Sequence, residues 1–328
     1  MNLRPVRLEP QFVPRIWGAR SLAPLFPEKK SLAEPIGEVW LTGNECKFAD
    51  GPFAGQKLGE AWPKLTEDWT GRGLRRDGPF PLLVKFIFPE DKLSVQVHPD
   101  DAYARTREAA AGGVGKTEMW YVISARAGAE VRVGMKPEVD REQFRRAIAE
   151  GTAENCVAAV PVRAGDAIFV PAGTVHTIGP GMILCEIQQN SDITYRVFDF
   201  NRLTAEGKPR ELHIEKAMDV IKFGEQQGGK AAQAPGKESN GDMNLLVECP
   251  YFAVAKSVFI HREYRSRRKS VFELLIVLEG RGKIEVPGGG VEYEPAQTWF
   301  VPASVRDCVF APEKRTVMLH AWVPAEDK

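Results

Sequence analysis

Long hydrophobic runs are missing from this sequence. No apolar stretch approaches the roughly 20 residues that a membrane-spanning helix needs. The opening letters MNLRP also lead into no apolar core of the kind found in signal peptides. Both absences predict a cytoplasmic protein without a membrane partner.

An excess of charge of either sign is also missing. The 44 lysines and arginines balance the 44 aspartates and glutamates, so the formal net charge is zero. Nucleic acids and anionic membranes attract strongly basic surfaces, and neither is expected as a partner here. The length of 328 residues is sufficient for two domains, each with its own core.

Cysteines in a recognisable arrangement are missing as well. The five cysteines are scattered along the chain, odd in number and without a C-x-x-C motif. This pattern predicts free thiols in a reducing compartment rather than a disulfide framework.

What the sequence does contain is a series of short apolar runs punctuated by glycine and proline. The segments 80–88 and 118–123 are typical of buried strands, and turn residues follow both. Helical periodicity is limited to a few segments, namely a helix broken by proline at 58–69 and helices at 100–110, 140–150 and 211–223. Asp140 and Gln143 match a capping box at the start of the third segment.

The C-terminal part of the chain repeats the strand pattern of the N-terminal part. Residues 272–278 align with 117–123, and residues 298–304 align with 167–173, position by position. Strands and turns that recur in this way predict an all-β sandwich or barrel built twice.

A segment almost without bulky apolar residues separates the two copies and is typical of a linker or exposed loop. We therefore predict a metal-binding domain, this linker and a degenerate second domain at residues 1–225, 226–242 and 243–328.

Polar side chains with metal-ligating chemistry interrupt the apolar runs of the first copy. Gln96 and His98 are two residues apart, so on a strand both side chains leave the same face. Lys116 and Glu118 repeat that spacing at the start of another strand, and His176 follows two turn signals. An amide oxygen, two imidazoles and a carboxylate suit a redox-silent divalent cation such as Zn²⁺.

Each of these residues has a plainer interpretation. Gln96 and His98 could form a hydrogen-bonded pair inside a β core, and a lone histidine such as His176 is usually structural. Lys85 could extend its stem out of a half-buried strand rather than face a pocket for an anion. The convergence of four candidate ligands favours the metal site.

The second copy lacks the full ligand set. Glu273 takes the position of Glu118, but the same register places Asp307 where His176 stands. His261 lies roughly where His98 would be in the first copy. The repeat is therefore interpreted as a structural copy without a metal.

The sequence resembles the type I mannose-6-phosphate isomerases, which are cupins, in four motifs. These are KFIFPEDKLSVQVHPDD, GKTEMWYVIS, PAGTVHTIG and EIQQNSDITYRVFDF, and the likeness covers most of residues 10–225. No long helical insertion interrupts the strands, as in the short bacterial form of the family. The resemblance implies a mainly β fold of two cupin-like jelly-roll domains.

The resemblance also implies roles for individual residues. The implied zinc ligands, for one ion per chain, are Gln96, His98, Glu118 and His176. The implied substrate-facing catalytic residues are Lys116, Glu186, Asp192 and Arg196. Lys85 and Ser94 are the implied phosphate-binding residues.

The implied reaction interconverts mannose 6-phosphate and fructose 6-phosphate through an enediol, which requires a group that moves a proton between C2 and C1. Lys116 is the first candidate because it shares a strand face with Glu118, and Glu186 and Asp192 compete with it. Arg196 could hold substrate oxygens or stabilise negative charge.

Two other function classes fit parts of the pattern. A cupin oxygenase would hold iron at the same place, but such sites commonly use two or three histidines, and a glutamine ligand favours redox-free chemistry. A sugar-binding cupin without turnover is the second alternative. Under either of the sugar-based hypotheses the partner is a small molecule rather than a nucleic acid.

Overall fold

The structure, a computed structural model, describes residues 3–204, 206–224, 227–231, 239–267 and 271–324. Strands dominate these residues and helices are short. No helix among them combines the length and apolar character required to cross a membrane.

Thirteen strands precede residue 231. They are β1 (Val6–Leu8), β2 (Gln11–Ala19), β3 (Ile36–Trp40), β4 (Leu82–Ile87), β5 (Val95–Val97), β6 (Glu118–Ala125), β7 (Glu130–Met135), β8 (Val157–Pro161), β9 (Ala167–Val170), β10 (His176–Ile178), β11 (Met182–Gln189), β12 (Tyr195–Phe198) and β13 (Gly229–Lys230). Nine more follow, namely β14 (Asn244–Glu248), β15 (Ala253–Phe259), β16 (Glu263–Ser266), β17 (Glu273–Glu279), β18 (Gly282–Val286), β19 (Gly289–Tyr293), β20 (Thr298–Val301), β21 (Asp307–Pro312) and β22 (Thr316–Trp322).

The helical elements lie in the connections. The α-helices are α1 (Leu58–Ala61), α2 (Glu67–Thr70), α3 (Asp101–Arg107), α4 (Arg141–Ala149) and α5 (Ile214–Val220). Short 3₁₀ turns occupy Gly51–Phe53, Trp62–Lys64, Ala109–Ala111 and Ala153–Cys156.

The described strands form four sheets. The first domain contains a five-stranded sheet, β12-β5-β10-β7-β8, and a seven-stranded sheet, β13-β9-β6-β11-β4-β3-β2. The second contains a six-stranded sheet, β1-β20-β17-β22-β15-β14, and a four-stranded sheet, β16-β21-β18-β19. Each domain is thus a sandwich of two sheets rather than a closed barrel, and the mainly β, twice-built fold predicted from sequence is confirmed.

Alternation along β6 decides which side chains enter the first sandwich. Trp120 and Val122 lie in the core shared with Val131 of the facing sheet, whereas Met119 and Tyr121 belong to the core on the other side of β6. Successive side chains of a strand point to opposite faces. Glu118, two residues before Trp120, therefore points into the first sandwich as well.

A central core joins the two domains back to back. Phe86 of the seven-stranded sheet shares a buried cluster with Phe272, Leu274 and Phe300 of the second domain. The rings of Phe272 and Phe300 stack with centroids 4.9 Å apart. Aromatic burial of this kind contributes strongly to stability, so the two sandwiches form one packed body.

Three features of the fold depart from the sequence-based expectation. Strand β1 pairs with β20, so residues 6–8 lie in a sheet of the second domain although the sequence-based division groups them with the first. Within the predicted linker, Gly229 pairs with Phe169 as part of β13. Helix α5 covers only Ile214–Val220 of the predicted 211–223. The predicted range is too long because the apolar pattern includes Leu212 and Ile221, which lie outside the helix.

Two predicted helix starts are confirmed by their caps. The Asp100 side chain accepts a hydrogen bond from the backbone N–H of Tyr103 at 2.9 Å, which begins α3. Asp140 and Gln143 form a reciprocal capping box at the start of α4.

Candidate metal centre and substrate pocket

Strand register brings the four predicted ligands together inside the first sandwich. Gln96 on β5 lies directly opposite His176 at the start of β10, and His98 follows β5 by one residue. Glu118 begins β6 in the facing sheet, two residues before the inward-pointing Trp120. The two sheets thus present these side chains to one another at one end of the sandwich.

The turn before β10 places His176. Gly173 has a φ of 86°, and its N–H donates to the carbonyl of His98 at 2.9 Å. A Cβ at this position would lie 2.9 Å from the carbonyl oxygen of Val220, closer than real Cβ atoms come to backbone. Glycine is required here for its positive φ and for this close approach.

The metal-ligating atoms of three buried residues converge. His98 Nε2 lies 3.6 Å from Glu118 Oε2, and His176 Nε2 lies 3.4 Å from Glu118 Oε1. All three ligating atoms lie within 4.8 Å of one another. In the described part of the chain this is the one group of three His, Cys, Asp or Glu with such geometry.

Backbone carbonyls orient both imidazoles. Nδ1 of His98 lies 2.8 Å from the carbonyl oxygen of Ile193, and Nδ1 of His176 lies 2.9 Å from that of Thr174. Each Nδ1 therefore carries the proton and leaves the Nε2 lone pair directed at the cluster. Burial holds the pKa of His98 well below its usual value, with help from Lys116, and lowers the pKa of His176 to about 4. Neutral imidazoles are the form that binds metal.

Lys116 is the one cation in contact with the Glu118 carboxylate among the described residues. Both oxygens are buried without a geometrically satisfactory hydrogen bond, although Lys116 Nζ lies 2.6 Å from Oε2. Burial and the nearby Glu186 carboxylate raise the pKa of Glu118 to about 7. A buried carboxylate with unsatisfied oxygens between two neutral imidazoles fits a divalent cation.

Gln96 completes the surroundings of this cluster. Its amide nitrogen lies 3.3 Å from His176 Nε2, and its Oε1 accepts a hydrogen bond from Ser94 Oγ at 3.0 Å. The oxygen and nitrogen of an amide exchange places on rotation of the terminal group. That rotation would direct the oxygen at the cluster, as the predicted ligand role requires.

A cavity of about 610 Å³ opens beside the cluster, and Gln96 and Lys116 lie in its wall. Arg15 and Trp17 of β2 line one side, and Asp192 lines another. The size suits a small polar ligand. The predicted substrate residues and Gln96 thus line one pocket, and Lys116 connects its wall to the adjoining His98, Glu118 and His176 cluster.

Lys116 lies between the cluster and the pocket. Its Nζ is 3.0 Å from His98 Nε2 and 3.8 Å from Glu186 Oε1, in addition to its contact with Glu118. Glu186 also accepts a hydrogen bond from Trp120 Nε1 at 3.0 Å. Burial favours protonation of Glu186, but Lys85 and Lys116 outweigh it and lower the pKa of this carboxyl.

A buried ion-pair chain continues from Glu186 away from the metal cluster. Lys85 Nζ lies 3.3 Å from Glu186 Oε1 and 3.8 Å from Glu38 Oε2. Arg15 and Trp40 both donate to the same Glu38 oxygen, at 2.9 and 2.8 Å. Burial opposes the charge on Glu38, but Lys85 and Arg15 prevail and lower its pKa to about 2. Burial likewise opposes the charge on Lys85, whose pKa its two carboxylate neighbours nevertheless raise.

Arg196 and Asp192 lie in the pocket wall without such pairing. The Nε of Arg196 is buried and finds no acceptor among the described residues. Burial and the neighbouring Arg210 lower the pKa of Arg196. Asp192 is exposed at the pocket. The structure therefore brings every predicted site residue to this pocket or to the adjoining metal cluster.

Sequence reasoning missed several residues of this pocket. Arg15, Glu38 and Arg210 line it, and Trp120 holds Glu186. The one available signal is the carboxylate in the strand IGEVW, where a charged residue interrupts a buried run. The others arrive from distant segments and carry no local pattern.

The second domain neutralises its equivalent carboxylate with protein cations. Glu273 is buried, with Arg265 Nη2 at 2.9 Å from Oε1 and Arg267 Nε at 2.8 Å from Oε2. His320 Nδ1 lies 2.9 Å from Oε1. Burial alone would raise the pKa of Glu273, but the two arginines hold it well below its usual value. Two guanidinium groups thus occupy the surroundings that in the first domain hold ligating histidines.

The position expected for His261 is wrong. His261 is exposed and precedes β16, whereas Arg265 of that strand is the residue that contacts Glu273. The backbone N–H of His261 donates to Asn240 Oδ1 at 2.9 Å. The loop before β16 differs in length from its counterpart, so counting residues from the neighbouring strand misplaced this histidine.

A second large cavity lies away from the cluster. It has a volume of about 640 Å³ and lies between the N-terminal loops and the second domain, near Phe12 and Arg281. The ligating atoms of the metal cluster do not reach it. The metal-adjacent cavity is therefore the candidate active site.

The comparisons with known proteins agree with this arrangement. The family model for the phosphomannose isomerase type I catalytic domain matches residues 6–119. The mannose-6-phosphate isomerase of Streptococcus mutans is 37% identical over 288 residues, which cover 86% of this chain and 87% of that protein. The crystal structure of mannose 6-phosphate isomerase from Bacillus subtilis has a TM-score of 0.88 at 29% identity and covers 98% of this chain and 100% of its own. A zinc-bound mannose 6-phosphate isomerase structure shares the fold, with a TM-score of 0.75 at 16% identity over 97% of this chain and 99% of its own.

Two β sandwiches with a buried His–Glu–His cluster in the first define a metal-binding cupin. The extent and identity of the match to the Streptococcus mutans protein identify the family within the cupins. The chain belongs to the type I mannose-6-phosphate isomerase family.

Proposed function

We propose that this protein interconverts mannose 6-phosphate and fructose 6-phosphate in the pocket beside the metal cluster. The observation that carries the proposal is the buried Glu118 carboxylate between two neutral imidazoles, joined through Lys116 to the wall of a cavity of about 610 Å³. Family membership supports the substrate and the reaction. It favours an isomerase over the oxygenase and the non-catalytic sugar-binding cupin considered from the sequence.

The proposed cofactor is one Zn²⁺ per chain, held by Gln96, His98, Glu118 and His176. The nitrogen and oxygen donor set supports zinc, and the zinc-bound relative supports the same assignment. When bound, a divalent cation at this place supplies Lewis-acid stabilisation of negative charge on the substrate oxygens.

Lys116 is the proposed proton carrier between C2 and C1. It lies in the pocket wall and contacts carboxylates on both sides, Glu118 at 2.6 Å and Glu186 at 3.8 Å. Glu186 is the weaker candidate because Lys85 and the Trp120 indole already engage its oxygens. A carboxylate whose pKa is lowered by two lysines is also a poor acid at neutral pH.

Arg196 and Asp192 are proposed to contact the substrate. The buried Nε of Arg196 has no acceptor among the described residues, so an oxygen of the substrate can accept from it. Asp192 is exposed to the pocket and can accept a hydrogen bond from a sugar hydroxyl.

The phosphate-binding role of Lys85 and Ser94 stays a prediction. Lys85 is 2% exposed and lies between Glu38 and Glu186, and Ser94 donates to Gln96. A phosphate must displace these contacts or bind at another cation of the pocket.

The division into residues 1–225, 226–242 and 243–328 is part of the proposal, with the metal chemistry in the first domain and strand β1 of the first segment completing a sheet of the second. The ion-paired Glu273 supports a structural role for the second. We also place the reaction in the cytoplasm, which the five free cysteines support.

The test is a coupled assay of mannose 6-phosphate isomerisation on the purified full chain, before and after chelation and zinc return. We expect turnover that chelation abolishes and zinc restores. Oxygen consumption without isomerisation, or sugar-phosphate binding without turnover, would instead support one of the two alternative classes.

A further inference from the structure

The hairpin that follows β12 carries an arginine into the pocket. Asp199 is 6% exposed, and its carboxylate pairs with Arg202, at 2.5 Å from Nη2 to Oδ1, and with Arg210, at 2.7 Å from Nε to Oδ2. Arg210 Nη2 also donates to Oδ1. A guanidinium held by two parallel bonds to one carboxylate has a fixed direction.

The backbone of this hairpin is held in an unusual conformation. Phe200 and Asn201, directly after Asp199, have φ angles of 56° and 55°. Left-handed backbone at two consecutive non-glycine residues is unfavourable and persists only where surrounding contacts impose it.

Backbone hydrogen bonds close the hairpin at both ends. Thr204 N–H donates to the carbonyl of Lys208 at 2.8 Å, and His213 N–H donates to the carbonyl of Arg196 at 2.7 Å. The second bond ties the end of the hairpin to the strand that carries a pocket arginine. The loop therefore presents Arg210 at a defined place beside Arg196.

Two guanidinium groups consequently line one wall of the pocket. Arg196 and Arg210 both line the cavity, and after burial Arg210 is the group that most lowers the pKa of Arg196. Arg210 keeps its partner Asp199, whereas Arg196 retains a buried Nε without an acceptor among the described residues. A fold that holds like charges together in this way favours an anion between them.

We propose that Arg210 and Arg196 bind the phosphate group of the substrate, and that Asp199 is the positioning residue that directs Arg210 into the pocket. This inference rests on the proposed function, because it assigns the charged end of the proposed substrate. It places the phosphate at the arginines rather than at Lys85, whose single ammonium lies between two carboxylates, or at Ser94, which donates to Gln96. The described bonds of Arg210 to Asp199 use only its Nε and Nη2.

The test compares R210Q, R210K and D199N with the matched control K208Q. Lys208 lies on the same hairpin and is exposed but does not line the pocket, so K208Q removes one charge without removing a pocket contact. Two readouts are needed, the KM and kcat for mannose 6-phosphate, and the binding of inorganic phosphate to the metal-loaded protein by calorimetry. Thermal melts establish that each variant folds.

We expect R210Q to raise both KM and the Kd for phosphate by about tenfold or more, because a charge-assisted contact is lost, with kcat changed much less. R210K should recover part of the loss, and D199N should weaken phosphate binding in the same direction. K208Q should match the wild type.

Unchanged phosphate binding in a folded R210Q protein would overturn the proposal, as would equal losses in R210Q and K208Q. If K85M weakens phosphate binding and R210Q does not, the phosphate lies at Lys85. Phosphate binding does not require turnover, so a wild type that binds phosphate through Arg210 but does not isomerise mannose 6-phosphate would refute the proposed function alone.

Discussion

Glu118 and Glu273 occupy the same strand position in the two domains but are surrounded by different groups. Glu118 faces Val170 across its antiparallel partner, and Glu273 faces Val301 in the same register. The first carboxylate is buried beside two neutral imidazoles and the single ammonium of Lys116, whereas the second lies against two guanidinium groups. The first arrangement offers imidazole nitrogens beside a carboxylate, as metal sites do, and the second surrounds its carboxylate with arginines.

The substitution E273Q should destabilise the protein by about 3–5 kcal/mol, because it leaves buried arginine charge without its carboxylate. The metal content should not change, since the metal cluster lies in the other domain. Urea denaturation and metal analysis measure the two effects.

The control for this prediction is E279Q, which removes an exposed carboxylate from the same strand β17 and breaks a surface pair with Arg315. Its cost should stay below about 1 kcal/mol. Equal costs for the two variants, or loss of metal from E273Q, would contradict the structural role of the second copy.

Glu38 should make the protein sensitive to acid. Its pKa of about 2 lies below the ordinary 4.5, so its contribution to stability is present above pH 4.5 and is lost as the pH falls toward 2. The full shift corresponds to an order of magnitude of about 3 kcal/mol. Denaturation of chelated wild type and E38Q across this range should show wild type more stable at neutral pH and the two converging in acid.

Chelation before these measurements removes any contribution from metal release. The matched variant is E34Q, which removes an exposed carboxylate at the same pocket. It should follow the wild type at every pH. A constant difference between wild type and E38Q down to pH 2 would show that Glu38 is not held ionised by Lys85 and Arg15.

Lys116 should be needed for proton transfer but not for metal binding. K116M removes the ammonium beside Glu118 and should lower kcat by about 100-fold or more, as loss of a general acid or base does. Zinc content should stay at the wild-type value. Steady-state kinetics on metal-loaded protein measures the loss.

D192N provides the comparison, because it alters a carboxylate of the same pocket at its exposed edge. A smaller loss in D192N than in K116M is expected. The reverse order, with nearly full turnover in K116M, would transfer the role to one of the carboxylates.

Much of this architecture could be predicted from the sequence because its signals are local. Strand alternation placed Gln96 and His98 on one face, and the motif of Asp140 and Gln143 marked a helix start. The alignment of the two copies predicted that Glu118 and Glu273 are equivalent, and the strand register confirms it. The alternation of a strand and the residue types of a turn both depend on residues that are close in sequence.

The missed features depend on contacts between distant segments. Strand β1 completes a sheet of the second domain by pairing Val6 with Phe300. Glu38 joins the pocket through Lys85 of β4, and Arg210 enters it because Asp199 holds the hairpin. No local pattern encodes these partners, since each residue on its own resembles an ordinary surface or strand residue.

The most direct test of the central claim is the zinc content of folded E118A protein measured by mass spectrometry. We expect about one zinc per chain in the wild type and nearly none in E118A, because removal of the carboxylate takes away the one anionic group of the cluster. Retention of one zinc per chain in E118A would show that the metal lies elsewhere in the protein.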